Sequence, residues 1–496
     1  MNAPQDRLKQ LYHLHRLIGI WAVVGVVLFS LSGVLHPIMS RLQPKPAMPQ
    51  AVESIDFAPL HSGQPLAEIL TNYKIEKGSE LKLVQFDGVA YLQLRAAGSD
   101  SRRYISLADR TELADGDRIY AEFLARRYLG DDASPIVDAA IQRDFDGDYA
   151  DVNRLLPVWR LAFDRPDGMM LYVDTGSGRL ATLVDRTKSF ASTEFSLLHR
   201  GDWLNPLSPW LRVAVLTAML LACLGVVIIG LWLYLLRWPR LQHRLDLHKA
   251  HRIGGLVISL AALAFAVSGL YHLWHKQAAG DAAFRSHLPE AQLAFAGIAD
   301  PWHMSPMATA KSVSLVALNG NSYWRFEPAG KPEKPMGEHD QHGKAGKPEA
   351  RAAGPIYLGA SDGIELADGE RLYALSLLQL ADPARAEPKT LERVGKFTPE
   401  YGFLFKRLPV QRAGFADGTA IYVDTMDRQI AAVIVPADRV EGWFFSNIHK
   451  LNFLDAHIGK DMRDLVAALL AFALIVVSLL GSWLWWRRRR RLQPVA

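Results

Sequence analysis

Histidine is the residue type in this chain best suited to chemistry. There are 16 histidines but a single cysteine, Cys223. One cysteine excludes a disulfide framework, a CxxC redox pair, cysteine-rich zinc fingers and the CxxCH motif. Six of the histidines fall in a pattern. His15 and His36 are 21 residues apart, and His251 and His272 repeat that spacing. His199 and His449 form a third pair, within LLHRGDWL and NIHKLNFL. Neutral imidazole ligates metals through one ring nitrogen while the other fixes its orientation. Matched histidines therefore predict metal ligation.

The elements that carry them are apolar. Half of the 496 residues are hydrophobic and 22% are charged, which excludes a disordered chain. Four runs, about 17–38, 211–236, 253–274 and 465–486, are each long enough to cross about 30 Å of hydrocarbon. Basic residues flank them unevenly. Arg7, Lys9 and Arg16 precede the first; Arg237, Arg240, Arg244, Lys249 and Arg252 lie between the second and third; Arg487–Arg491 follow the fourth. The positive-inside rule predicts that all three segments, and both termini, are cytoplasmic. The RRRRR run reads as a topology anchor, and no nucleic-acid partner is expected.

The chain is an internal duplication. HRLIGIWAVVGVVLFSLSGVLH from His15 matches HRIGGLVISLAALAFAVSGLYH from His251. ELADGDRIYA matches ELADGERLYA, and LPV, YVDT and the pre-span LHR/IHK follow in the same order. Each half reads span, outside segment, span, so the halves have the same orientation and predict a pseudo-twofold along the membrane normal. The expected organisation is a cytoplasmic N-terminus with the first span (1–38), an outside domain (39–209), a second span (210–237), a cytoplasmic loop (238–250), a third span (251–275), a second outside domain (276–462) with a flexible insertion (328–355), and a fourth span with a basic tail (463–496).

A 21-residue separation along a helix is about 31 Å and returns the side chain to within about 60° of its starting direction. His15 and His251 should then meet at the cytoplasmic face. His36, His272, His199 and His449 should gather at the outer face. Paired imidazoles from facing apolar helices suit a haem with two axial histidines, non-covalent and of the b type. Two haems are expected, or three if the four outer histidines make two pairs. Gly19, Gly25, Gly33, Gly254, Gly255 and Gly269 would let a flat macrocycle approach the helices. Arg16 and Arg252 inside, and Arg200 and Lys450 outside, would pair with propionates. A non-haem Zn, Cu or Fe site is the alternative use of such ligands. The scarcity of nearby carboxylates favours haem. The unmatched His13, His248, His275, His339, His342 and His457 are expected to play no part.

The outside segments predict mixed α and β structure. MLYVDTGSGRLATLV and AIYVDTMDRQIAAVIV read as hairpins. YISLADRTELADGDR and IYLGASDGIELADGER read as further hairpins leading into helices. DFDGD at Asp144–Asp148 imitates a calcium loop, but loop position twelve is Leu155 rather than glutamate, so a turn is expected.

These landmarks resemble the PepSY-associated transmembrane helix family. LHRLIGIWAVVGVVLFSLSG, YVDTGSGRL and LLHRGDWL carry the resemblance in the first half, and AHRIGGLVISLAALAFAVSG, YVDTMDRQI and NIHKLNFL in the second. It implies a bacterial inner-membrane protein: a four-helix transmembrane bundle carrying b haems, topped by periplasmic α+β PepSY-type domains. It implies an oxidoreductase similar to ferric siderophore reductases, which releases Fe(II) from a periplasmic ferric chelate. It carries ligand roles to His15, His36, His199, His251, His272 and His449. No GxGxxG opens a predicted helix, so a separate quinol or flavoprotein donor is expected. Two other functions fit parts of the pattern. One is a membrane-tethered, peptide-binding PepSY-type regulator without redox activity. The other is an iron-transport partner, disfavoured by the scarcity of charges within the spans.

Overall fold

The computed structural model describes residues 3–237, 246–279, 288–329, 354–402 and 405–492. Most of the expected insertion (330–353) and of the loop between the second and third spans (238–245) lies outside the described residues. In chain order the first half contains α1 (Ala3–Leu42), β1 (Ile55–Asp56), α2 (Leu66–Asn72), β2 (Lys77–Gly78), β3 (Glu80–Phe86), β4 (Val89–Arg95), β5 (Arg103–Ser106), α3 (Gly116–Leu129), β6 (Ile136–Gln142), β7 (Val158–Phe163), β8 (Met170–Asp174), β9 (Arg179–Val184), α4 (Arg186–Phe195) and α5 (Pro209–Arg237). The second half contains α6 (Leu247–Ala279), β10 (Leu293–Ala294), α7 (Pro301–Met304), β11 (Thr309–Leu318), β12 (Asn321–Pro328), β13 (Ile356–Gly359), α8 (Gly369–Ala381), β14 (Thr390–Val394), β15 (Val410–Gly414), β16 (Ala420–Asp424), β17 (Gln429–Ile434), α9 (Pro436–Phe444) and α10 (Asp455–Leu492). The chain divides into a helical unit (Met1–Gln43, Thr187–Gly280, Pro436–Ala496) and a sheet unit (Pro44–Arg186, Asp281–Val435).

In the helical unit, α1, α5, α6 and α10 are long and apolar enough to cross a membrane. They run past the apolar cores read from sequence because polar residues at their ends continue the helical hydrogen bonding. In α10, Gly459 leaves helical geometry at φ 75° and kinks the helix. α1 and α6 each pack on α5 and α10, so α1 and α6 stand diagonally across a four-helix bundle. The shared core uses small side chains, with Ala22, Cys223 and Ala266 beside Leu220. Small residues allow close helix approach where lipid supplies no hydrophobic drive. Trp21, Val257, Leu260 and Phe472 are exposed on the bundle surface, an arrangement suited to a hydrocarbon solvent. The guanidiniums of Arg487, Arg489 and Arg490 lie over Trp483, Trp485 and Trp486, as in the aromatic and basic belt of a membrane interface.

The sheet unit combines both of the long segments between spans. β3–β4–β5 is a meander in the first half, and β11–β12–β13 is its counterpart in the second. They join edge to edge through antiparallel β3 and β11, in the order β13–β12–β11–β3–β4–β5, with β1 added on β11. The two segments thus share one continuous seven-stranded sheet, and each meander covers what would otherwise be the other's open edge. One face buries Leu81, Leu83, Leu92, Val313, Leu315 and Trp324 in a core common to both halves. On the other face, α3 packs with the four-stranded sheet β6–β9, and α8 packs with β14–β17.

The YVDT segments form the expected hairpins, β8–β9 and β16–β17. Both carry a bulge at the repeat-related steps Tyr172/Val173 and Tyr422/Val423. The two ELADG segments also behave alike. Each pairs back on the preceding strand at one bridge, Ile105 with Glu112 and Leu358 with Glu365, before entering its helix. DFDGD is a turn in which Asp146 Oδ1 accepts from the backbone N–H groups of Asp148 and Tyr149.

Candidate functional site

His15 and His251 lie near the N-terminal ends of the diagonal helices α1 and α6. Their rings face each other with centroids 6.4 Å apart. His251 Nδ1 donates to the carbonyl of Val477 at 3.1 Å. His15 Nδ1 is buried without a hydrogen-bond partner among the described residues, and the backbone of the repeat-related Val226 lies beside the ring. The His251 ring is thus tied through Nδ1 to the next helix.

Two glycines make room for these rings. A Cβ at Gly481 would lie 2.7 Å from His251 Cε1, and one at Gly230 would lie 3.2 Å from His15 Cε1. Gly230 and Gly481 hold equivalent places in the second and fourth spans. The glycines expected to serve as a cradle mostly do something else: Gly19, Gly25, Gly33 and Gly254 face Val226, Met219, Ala471 and Val477. Of that set, Gly269 is the one that approaches a histidine, at 3.9 Å from His449 Cε1.

His199 and His449 form the second pair. Each sits in a single π-helical turn, Ser196–Arg200 or Phe445–His449, that continues α4 or α9. The wider turn, a frequent device at functional sites, sets each ring against the bundle. The centroids are 6.1 Å apart, with planes at 81°. Nδ1 of His199 lies 2.8 Å from Ser32 Oγ, and Nδ1 of His449 lies 2.9 Å from Ser268 Oγ. Ser32 donates its own proton to the carbonyl of Phe29, and Ser268 donates to that of Ala264. Each serine oxygen is therefore the acceptor for Nδ1–H, and Nε2 is left as a lone-pair donor. Phe195 and Phe445 stack on the two imidazoles at 4.7 Å. Phe29 and Phe265 meet them edge-on at 5.7 and 5.8 Å. Burial, with the neighbouring histidines, pushes His199 down to about 4 and His449 down to about 3, so both rings are neutral at ordinary pH.

His36 and His272 lie beside this pair. His36 packs on Phe195 at 5.9 Å and His272 stacks on Phe445 at 4.2 Å. His272 Nδ1 also lies 2.5 Å from Glu441 Oε1, and His275 Nε2 lies 2.8 Å from Asp438 Oδ1. Carboxylates do therefore reach this end of the bundle, contrary to the sequence-based expectation. They come from α9 and belong to the second half, since Ala191 and Lys188 hold the equivalent places in α4.

These distances test the fit of a haem. A metal–imidazole bond of about 2.0 Å and a ring radius of about 1.2 Å put two trans imidazoles about 6.4 Å apart, centroid to centroid. Both pairs match that spacing. Nδ1 is engaged in three of the four rings, those of His251, His199 and His449, as second-shell partners do for ligating histidines. Among the described residues, no three His, Cys, Asp or Glu side chains converge on a metal polyhedron. The residues fit a bis-histidine b haem at each pair. The expected propionate partners are less uniform. Arg16 lies over Tyr12, Arg252 reaches the carbonyl of His248, Arg200 is held by Asp202, and Lys450 lies over Phe445.

Sequence reasoning reached the histidines but not Ser32, Ser268, Gly230, Gly481, Phe195 or Phe445. The repeat offered a signal for all of them, because each is retained in both halves. No protein-family model matches the chain, and no characterised protein matches it.

Proposed function

We propose that this chain is a bacterial inner-membrane electron-transfer protein with two b haems, one between His15 and His251 and one between His199 and His449. It would reduce a ferric chelate of the siderophore class on the periplasmic side and release Fe(II). The observation that carries this reading is the pair of imidazole separations, 6.4 and 6.1 Å, each matching trans ligation of one iron. The resemblance to PepSY-associated membrane proteins and the distribution of basic residues support the reductase activity and the orientation. Bound haem would supply reversible one-electron chemistry at each pair.

The chain's own residues would do the rest. Ser32 and Ser268 hold the tautomer and angle of the outer ligands. Val477 orients His251, and Gly230 and Gly481 keep the inner rings unobstructed. From His15 to Ser32 along α1 is 17 residues, about 25 Å of rise. The two pairs therefore lie toward opposite ends of the bundle, as a conduit across a bilayer requires. A separate quinol or flavoprotein would supply the electrons.

The test is an absorption spectrum of detergent-solubilised protein, oxidised and dithionite-reduced, with a pyridine haemochrome count. Six-coordinate b-type bands at two haems per chain are expected. A colourless protein after expression with ample haem would overturn the reading and favour a peptide-binding regulator.

A further inference from the structure

A second histidine pair lies in the sheet unit and joins its two segments. His61 is in the short helical turn Ala58–Ser62, and His303 is in α7. Each follows a buried anchor, Leu60 or Trp302, that seats its turn in the core shared by both halves. The start of α7 is also tied to the start of α2, four residues after the first turn, by a hydrogen bond from the Leu66 N–H to Asp300 Oδ1 at 2.6 Å. The anchors bury, and the next residues project outward, so both imidazoles are exposed yet held in place. Their Nδ1 atoms face each other at 3.3 Å, with ring centroids 5.2 Å apart.

Two facing Nδ1 lone pairs repel unless a proton or a cation lies between them. A tetrahedral metal with bonds of about 2.05 Å holds two ligand nitrogens about 3.3 Å apart, the separation found here. The other nitrogen of His303, Nε2, lies 3.9 Å from Asp300 Oδ2. That is too long for a hydrogen bond, and the carboxylate stands beside the ring as an outer-shell group of the kind common around metal-bound histidine. We propose that His61 and His303 form a surface site for a borderline divalent transition cation such as Zn²⁺ or Fe²⁺. Among the described residues no third His, Cys, Asp or Glu completes the set, so water or a small chelator fills the remaining positions and the ion exchanges readily. The site is independent of the haem assignment. Because one ligand comes from each outside segment, an ion bound there would clamp them together.

The experiment titrates Zn²⁺ into the full-length, detergent-solubilised protein and into His61→Asn, His303→Asn and Asp300→Asn variants. His275→Asn serves as a control. Wild type and control should bind Zn²⁺ equally. Each of the first two variants should bind at least about 10-fold more weakly at this site, and Asp300→Asn should show a smaller loss. Zn²⁺ should raise the melting temperature of wild type but not of His61→Asn or His303→Asn, while the metal-free melting temperatures of all stay alike. Zn²⁺ isotherms unchanged in both histidine variants would overturn the site, whatever the haem content.

Discussion

The imidazoles of His199 and His449 stand nearly perpendicular with centroids 6.1 Å apart, and each gives its Nδ1–H to a serine of a different helix. The arrangement repeats almost atom for atom across the duplication: serine, stacked phenylalanine, edge-on phenylalanine, π-helical turn. Four matched features around one pair of rings constrain position, tautomer and tilt together. That is the preorganisation a ligand pair requires.

The serines should tune the outer site. A hydrogen bond accepted from Nδ1–H raises the donor strength of Nε2 and favours the ferric state. Ser32→Ala or Ser268→Ala removes a bond worth about 1 kcal/mol. The outer midpoint potential should rise by tens of millivolts, on the order of 40 mV at most for one electron. Redox titration of each variant checks this, with haem content unchanged.

Gly481→Ala should empty the inner site. The new methyl would lie 2.7 Å from His251 Cε1, closer than carbon atoms tolerate, and must displace the ring. Gly230→Ala meets His15 at 3.2 Å and should cause a smaller loss. The haemochrome count should fall toward one in Gly481→Ala and stay between one and two in Gly230→Ala.

Arg179 should be a stability determinant of the sheet unit. It comes from the first half and bonds Asp424 at 2.6 Å and Asp427 at 2.5 Å in the second, beside Arg407. All four are largely buried. Arg179→Met leaves buried carboxylates short of a partner, which costs about 3–5 kcal/mol. A melting curve should show a lowered transition. Asp424→Asn in the same background should recover part of the loss.

Acid should weaken the same unit. Burial opposes ionisation of Glu80, yet Arg102, Lys82 and Arg95 hold it well below the usual carboxylate range. Glu370 is likewise lowered, against its burial, by Arg325, Tyr357, Thr425 and Gln411. A carboxylate depressed in the folded state stabilises above its unfolded pKa, about 4.3. That stability disappears as pH falls from there through the folded value. The melting temperature should therefore drop below about pH 4.5. Glu80→Gln should melt lower than wild type at pH 7 and lose less on acidification.

The periodic and local features were legible in sequence. Four apolar runs, the duplication, the YVDT hairpins and the six histidines follow from spacing along the chain. The features that were not legible depend on contacts between distant segments. Nothing local to Glu80–Phe86 or Thr309–Leu318 says that β3 and β11 pair. Nothing near Ser32 marks it as the partner of His199, 167 residues away. Gly230 and Gly481 read as ordinary small residues of a span, because their role appears when a ring from another helix arrives beside them. The contacts of His272 with Glu441 and Phe445 likewise depend on a segment about 170 residues farther along the chain.

The central claim is that ligation is divided between two specific pairs. The most direct measurement is the haem count per chain in His15→Ala, His251→Ala, His199→Ala, His449→Ala, His36→Ala and His272→Ala. Two haems are expected in wild type, about one in each of the first four variants, and two in the last two. An unchanged count in His199→Ala and His449→Ala, or loss of a haem in His36→Ala and His272→Ala, would contradict it.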